Sequence, residues 1–147
     1  MGTQSYRIEQ FSTAPPEIVF DVIADGPGWA RWVGSIKRAS WEVQGDPAPG
    51  GVGAVRRFEA PIGPPSRERI LVFDRPSHLA YDIVSSPLPI RDYRSDVTFE
   101  PMGTGTRIVW CGTWNARLPF TRFLTRMIGG FARSLAREAE RVQRERS

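Results

Sequence analysis

Base and nucleophile chemistry has few places to start in this chain. Its 147 residues contain one histidine, His78, and one cysteine, Cys111. A general base needs a histidine or a group with a displaced pKa. His78 falls in the turn Asp74-Arg75-Pro76-Ser77-His78, where exposure to solvent is expected. Cys111 has no base within sequence reach and is expected to be an inert thiol. One cysteine excludes an internal disulfide and a cysteine-rich zinc site. No metal-ligand spacing, P-loop or dinucleotide fingerprint is present, and Gly103-Thr104-Gly105 reads as a hairpin turn. No cofactor and no metal are expected.

The remaining ionisable candidates for an interior site are Arg56 or Arg57, Glu59, and Glu68 or Arg69. Alternation along a strand admits only one of each adjacent pair to a given face. Arg57 and Glu59 share a face, as do Arg69, Leu71 and Phe73. A buried Arg–Glu pair could polarise a carbonyl or hold a carboxylate, because guanidinium offers a planar fork of donors. The alternative is an ion pair on the outer face of a sheet.

Aromatic side chains give a clearer pattern. In the segment Thr106 to Ala116, Ile108, Trp110, Gly112 and Trp114 share a face. In Asp92 to Glu100, Tyr93, Ser95, Val97 and Phe99 oppose the polar set Arg94, Asp96, Thr98 and Glu100, so the first set points inward. In Leu79 to Val84 the apolar face holds Leu79, Tyr81 and Ile83. From the C-terminal segment, Phe123, Met127, Ile128 and Phe131 can close over these faces. The expected binding wall is Tyr81, Tyr93, Val97, Phe99, Trp110, Trp114, Phe123, Met127 and Phe131, with Trp41 and Phe58 as weaker members.

The elements that must position this wall follow from periodicity and breakers. A short strand over Tyr6–Phe11 precedes a helix opened by Pro15-Pro16-Glu17, since proline is favoured in a first helical turn. Asp25-Gly26-Pro27-Gly28 stops that helix, and Trp29 to Val33 makes a second, short helical turn. From Ile36 onward, apolar and polar residues alternate in short runs separated by Gly- and Pro-rich turns, which predicts an antiparallel meander. Phe120, Phe123, Leu124, Met127, Ile128, Phe131, Leu135, Ala139 and Val142 follow helical spacing, predicting one long helix over 119–144. Gly129-Gly130 should weaken or bend it. The fold class is α+β: an antiparallel curved sheet of about seven strands wrapped around a long C-terminal helix, with two short helices after the first strand. One domain over 1–147 is expected. A twisted sheet of this size curls, and a single helix is too narrow to fill the hollow.

Charge is distributed unevenly. Residues 117–147 hold eight arginines and three glutamates, whereas the rest holds twelve basic and thirteen acidic residues. The surplus therefore belongs to one solvated helix face, and no nucleic-acid partner is expected. No apolar run approaches the roughly 20 residues of a membrane span, so no stable membrane insertion is expected. The opening MGTQSYRIEQ lacks an apolar signal core, which predicts a cytoplasmic protein. A homodimer is left open.

The run Ala14-Pro15-Pro16-Glu17-Ile18-Val19-Phe20, then Asp25, Trp29 and Trp32, resembles the opening of the START-like helix-grip (SRPBCC) superfamily, in particular its bacterial polyketide cyclase/dehydrase and lipid-transport members. Val52-Gly53-Ala54-Val55-Arg56-Arg57, the Asp74-Arg75-Pro76 turn, and Trp110 with Trp114 are similar to later blocks of the same families. The resemblance spans residues 6–142. It implies a hollow fold with an internal cavity that holds an apolar or aromatic small molecule, lipid or polyketide-like, between the last helix and the sheet. It implies no single reaction, because the superfamily mixes carriers with enzymes. The implied alternative to a carrier is a cyclase, dehydrase or aromatase using cavity Arg, Glu and Tyr residues. Relatives of that kind commonly place a cavity arginine near the strand before the Asp-Pro turn. Here Leu71 lies close to that position, with Arg69 one step away.

Overall fold

The computed structural model describes residues 2–147. The chain runs β1 (Gly2–Ser12), α1 (Pro16–Ala24), a 3-10 turn (Gly26–Gly28), α2 (Trp29–Trp32), β2 (Arg38–Val43), β3 (Val55–Glu59), β4 (Ser66–Asp74), β5 (His78–Ser85), β6 (Arg91–Met102), β7 (Gly105–Ala116) and α3 (Thr121–Arg146). The strands form one antiparallel seven-stranded sheet in the order β1-β7-β6-β5-β4-β3-β2. The fold is the expected one: a curved meander, closed by its first strand, around a long C-terminal helix.

Local chemistry explains the elements. α1 starts with Pro16 and carries Glu17 in its first turn, both suited to the positive end of a helix. Its buried face, Ile18, Val19, Phe20 and Ile23, lies on the core. β6 and β7 turn through Gly103, whose φ of +62° falls in the left-handed region. In β4 the register with β5 slips between Ile70 and Val72, leaving Leu71 as an extra residue. Such a bulge bends the strand and reverses the face on which later residues fall. Phe73 therefore joins the core side with Ile70, where it meets Phe20 edge-on.

α3 packs along β1 and α1 rather than over the middle of the sheet. Ala132, Leu135, Ala136 and Ala139 are buried, and the small alanines bring the second half of the helix close to its neighbours. Ser12 Oγ donates to the Ala136 carbonyl at 3.1 Å, and the Thr13 amide donates to Glu140 at 3.1 Å. The helix is continuous through Gly129-Gly130. Its first half diverges from strands β3–β5, and the hollow lies there.

At one point two elements approach so closely that only glycine fits. Tyr6 on β1 lies opposite Gly112 on β7, its ring across the glycine Cα, and a Cβ at 112 would collide with the ring carbons. This contact lets Tyr6 reach over β7 toward Tyr93 on β6.

Candidate functional site

The hollow between α3 and the sheet is a cavity of about 300 Å³. Its walls come from four places. Phe58 at the end of β3, Glu68 on β4, Tyr81 and Ile83 on β5, and Tyr93 on β6 line the sheet side. Phe123, Leu124, Met127, Ile128 and Phe131 line the α3 side. Trp29, with Ser35 and Ile36 after α2, closes one end. The loops after β3 and β5 contribute Ile62, Gly63, Pro64, Ser86, Pro87 and Leu88. Ile62 is 90% exposed and Phe123 52% exposed, so these mark the mouth.

Of the expected wall, Tyr81, Tyr93, Phe123, Met127 and Phe131 lie on this cavity. Val97, Phe99, Trp110 and Trp114 do not: they point inward but are packed in the core. α1 covers Phe99, whose ring meets Phe20 at 5.5 Å. Val97 pairs with Trp110 across β6 and β7, and both are fully buried. The two indoles have their N–H groups satisfied by protein rather than by a wet pocket. Trp110 Nε1 donates to Ser95 Oγ at 2.9 Å and Tyr81 Oη at 3.2 Å, and Trp114 Nε1 donates to Gln4 Oε1 at 3.2 Å. Phe58, a weaker member of the expected wall, and Ile83, on the expected apolar face of its strand, also line the cavity, as do Ile62 and Leu88 from the loops. Ser35, Ile36 and Ile90 were missed, because isolated residues in loops carry no periodicity.

The polar centre of the site is one ion pair. β3 turns Arg56 inward and Arg57 outward, while β4 turns Glu68 inward and Arg69 outward. The outer-face alternative is thus corrected for Arg56 and Glu68, and holds for Arg57–Glu59 and Arg69–Asp82. Alternation with Glu68 and Ile70 puts Arg69 on the outer face, and the bulge after Ile70 separates it from Phe73, expected on the same face. Arg56 is 0% exposed, and its Nε donates to Glu68 Oε1 at 3.0 Å. Nη1 donates to the Ile23 carbonyl at 3.0 Å, and Trp29 Nε1 donates to the same oxygen at 2.8 Å. Ile23 is in the last turn of α1, where carbonyls lack helical partners and the helix dipole favours a cation. The guanidinium carbon lies 4.5 Å from the Trp29 ring centroid and 4.9 Å from that of Tyr81, within cation–π range. Arg56 itself does not reach the cavity surface, whereas Glu68 does.

Around this pair stand all three tyrosines of the chain. The Tyr6 and Tyr93 hydroxyls share a short hydrogen bond, and Tyr6 Oη is 3.3 Å from Ser95 Oγ. Ser95 Oγ in turn donates to the Cys111 carbonyl at 2.9 Å. Burial pushes Tyr6 up to about 12 and holds Tyr81 and Tyr93 well above the usual phenol range. They are neutral hydroxyls at physiological pH, able to donate and accept but not to serve as bases. Burial also raises the Glu68 carboxyl, against the opposing pull of Arg56.

His78 is not the free side chain expected of a turn residue. It opens β5, is half-buried, and its Nε2 meets Asp96 Oδ2 at 2.7 Å. Arg94 donates to the same Asp96 carboxylate at 2.9 Å and holds it below the usual carboxylate range, with His78 adding a smaller contribution. This network lies on the outer face, remote from the cavity lining. Cys111 is half-buried on that outer face as well. Among the described residues no three His, Cys, Asp or Glu side chains stand together as metal ligands, and no helix is long and apolar enough to cross a membrane.

Solved structures share this architecture at low sequence identity. The crystal structure of Ara h 8.0201 superposes with a TM-score of 0.75 at 17% identity, covering 94% of this chain and 98% of that one. A protein from Nitrosospira multiformis superposes at 0.76 with 19% identity, over 92% and 95% of the two chains. The protein XoxI from Bacillus cereus gives 0.74 with 19% identity, over 97% and 99%. At these identities the likeness concerns the fold. No curated protein matches the chain in sequence. Residues 3–145 match the family described as polyketide cyclase/dehydrase and lipid transport, activities that share hydrophobic small molecules as their ligands. The chain belongs to that polyketide cyclase/dehydrase and lipid transport family of the helix-grip (SRPBCC) superfamily.

Proposed function

We propose that this protein is a carrier or binding protein for a hydrophobic or aromatic small molecule, lipid- or polyketide-like, held between α3 and the sheet. Tyr81, Tyr93, Phe123, Met127 and Phe131 are its principal contacts in this reading. The observation that carries it is the cavity of about 300 Å³ whose wall is mostly apolar. That volume is at the lower end of small-molecule sites, roughly 300–1,000 Å³. Left dry and rigid, it would cost about 7 kcal/mol at ~24 cal/mol per Å³. A typical domain has only about 5–15 kcal/mol of stability. An occupant, whether water or ligand, is therefore part of the folded state. Family membership supports the apolar class of that ligand. The chain works in this reading as one domain over 1–147, in the cytoplasm.

A second reading, an enzyme of the cyclase/dehydrase kind, rests on Glu68. It is the one carboxylate of an inward ion pair that also reaches the cavity, and its raised pKa suits a proton-transfer role. Turnover of a polyketide-like substrate, abolished in Glu68→Gln, would select this reading over a carrier.

Native mass spectrometry of freshly purified protein tests the first reading. A bound apolar mass that is lost in Met127→Trp, which fills the cavity from α3, is the expected result. Failure of wild-type protein to bind any apolar molecule, including an added fluorescent naphthylamine probe, would overturn it.

A further inference from the structure

The two oxygens of Glu68 have different surroundings. Oε1 is engaged by Arg56, with Nε and Nη2 both at 3.0 Å. Oε2 has no hydrogen-bond partner among the described residues, yet it is not sealed off: the side chain is 13% exposed and borders the cavity. A carboxylate oxygen bordering a mostly apolar cavity without a partner is expensive, because a buried acceptor left unpaired loses its hydration without compensation. Whatever occupies the cavity must supply a donor there.

The arginine beside it is not offered to the cavity. Arg56 is spent on Glu68, through Nε and the buried Nη2, and on Ile23, through Nη1, with the Trp29, Tyr81 and Phe58 rings about the guanidinium. It presents no donor fork to a ligand. The Tyr93 hydroxyl is occupied with Tyr6; the Tyr81 hydroxyl accepts from Trp110 and keeps its proton, a neutral donor beside Glu68. The charged groups lining the cavity are thus carboxylates, Glu68 with Oε2 free on the inner wall and Glu59, which is also engaged by Arg57, and no cation lines it.

Building on the cavity-binding reading, we infer that the ligand is a largely apolar molecule whose polar end is a hydrogen-bond donor. An alcohol, phenol or amine is recognised by Glu68 Oε2; a carboxylate such as a fatty-acid anion is rejected. A hydroxyl donating to this oxygen makes a charge-assisted bond. A carboxylate in the same place sets two anions side by side with no spare guanidinium between them. The rest of the ligand then extends past Ile83, Met127 and Phe131 toward the mouth at Phe123 and Ile62. A volume equal to about ten waters, at ~30 Å³ each, admits a fused-ring core of modest size.

Calorimetric titration of the wild-type protein at neutral pH with 2-naphthol, naphthalene and 2-naphthoate separates the outcomes. These probes share one ring system and differ only in the polar end. The expected result is 2-naphthol binding about tenfold or more tighter than either of the others. Naphthalene binding as tightly as 2-naphthol would overturn the inference while leaving the cavity reading intact, since water would then be satisfying Oε2. 2-Naphthoate binding tightest would also overturn it. Binding of none of the three would overturn the cavity reading and the inference with it. Glu68→Gln supplies a second arm. Its amide oxygen can keep accepting from Arg56 while its NH₂ faces the cavity, converting the acceptor into a donor. The preference should swing from 2-naphthol toward 2-naphthoate, and an unchanged preference in the folded variant would assign recognition elsewhere.

Discussion

Arg56 and Glu68 face each other across β3 and β4, Nε to Oε1 at 3.0 Å, with the arginine fully buried and the glutamate at the cavity wall. The pair joins the last turn of α1, through the Ile23 carbonyl, to the inner face of the sheet. It supports Trp29 and Tyr81 from behind, and so sets the position of two cavity walls.

Breaking this pair from one side should cost far more than removing it whole. Arg56→Met leaves Glu68 without its counter-ion and is expected to lose about 3–5 kcal/mol in urea denaturation. The double variant Arg56→Met with Glu68→Met replaces ions by apolar groups of similar length and should recover most of that loss. A double variant as unstable as the sum of the singles would contradict the pairing.

The tyrosine cluster predicts alkaline behaviour. Tyr6, Tyr81 and Tyr93 are all the tyrosines in the chain, and burial raises each above 10.0. Their folded-state pKa values exceed the unfolded ones, so the folded state holds more protons in that window. The stability they contribute is fully present below pH 10.0 and is lost as pH rises through the folded values, about 12 for Tyr6. Tyrosinate absorbance should stay absent at pH 10.0, where free phenols are half ionised, and then appear together with loss of the folded circular dichroism signal. Gradual ionisation of the folded protein near pH 10.0 would show the cluster to be open to water.

Two glycine sites should respond in opposite directions. Gly112→Ala would drive a methyl group into the Tyr6 ring and is expected to destabilise by about 1–3 kcal/mol, the usual range for overpacking. A Cβ at Gly129 meets nothing nearer than Arg133 Nη1 at 3.7 Å, and one at Gly130 nothing nearer than Arg133 Nη2 at 3.8 Å. Gly129→Ala with Gly130→Ala should therefore stabilise the helix by roughly 2 kcal/mol. Thermal melting of the two variants checks both signs. Stopped-flow release of an apolar probe from the stabilised variant then reports whether helix pliancy sets exchange, with slower release the expected outcome.

The arginine face of α3 should act as a solvated surface. Arg122, Arg126, Arg133, Arg137 and Arg144 are exposed, and Arg141 is held by Glu138 and Glu145. Association with duplex DNA in a gel-shift experiment should be weak and disappear with modest salt. Tight, sequence-selective binding at physiological salt would refute this.

How far the sequence could be read depended on the contrast within each strand. In β6 the alternation of Tyr93, Ser95, Val97 and Phe99 with Arg94, Asp96, Thr98 and Glu100 is sharp, and the inward face is the apolar one. In β3 and β4 adjacent residues are both ionic, Arg56 beside Arg57 and Glu68 beside Arg69, so polarity cannot choose a phase. The bulge at Leu71 shifts that phase again, and bulges leave little trace in composition. Trp110 and Trp114 illustrate a different limit. Their face was legible, but whether an inward residue meets a cavity or a neighbour depends on which strands α1 and α3 cover. That is set by Tyr6 over Gly112, by Ser12 against Ala136, and by the buried alanines of α3. None of these long-range contacts has a periodic signature.

The central claim is that the space between α3 and β3–β6 is a binding site for an apolar small molecule. Methyl-resolved NMR titration of the wild-type protein with 2-naphthol addresses it directly. Saturable shifts should concentrate on Ile36, Ile83, Leu88, Leu124, Met127 and Ile128, while Val52 and Met102, exposed and absent from the cavity lining, stay unmoved. Shifts confined to surface methyls, or none up to the solubility limit of the probe, would contradict the account.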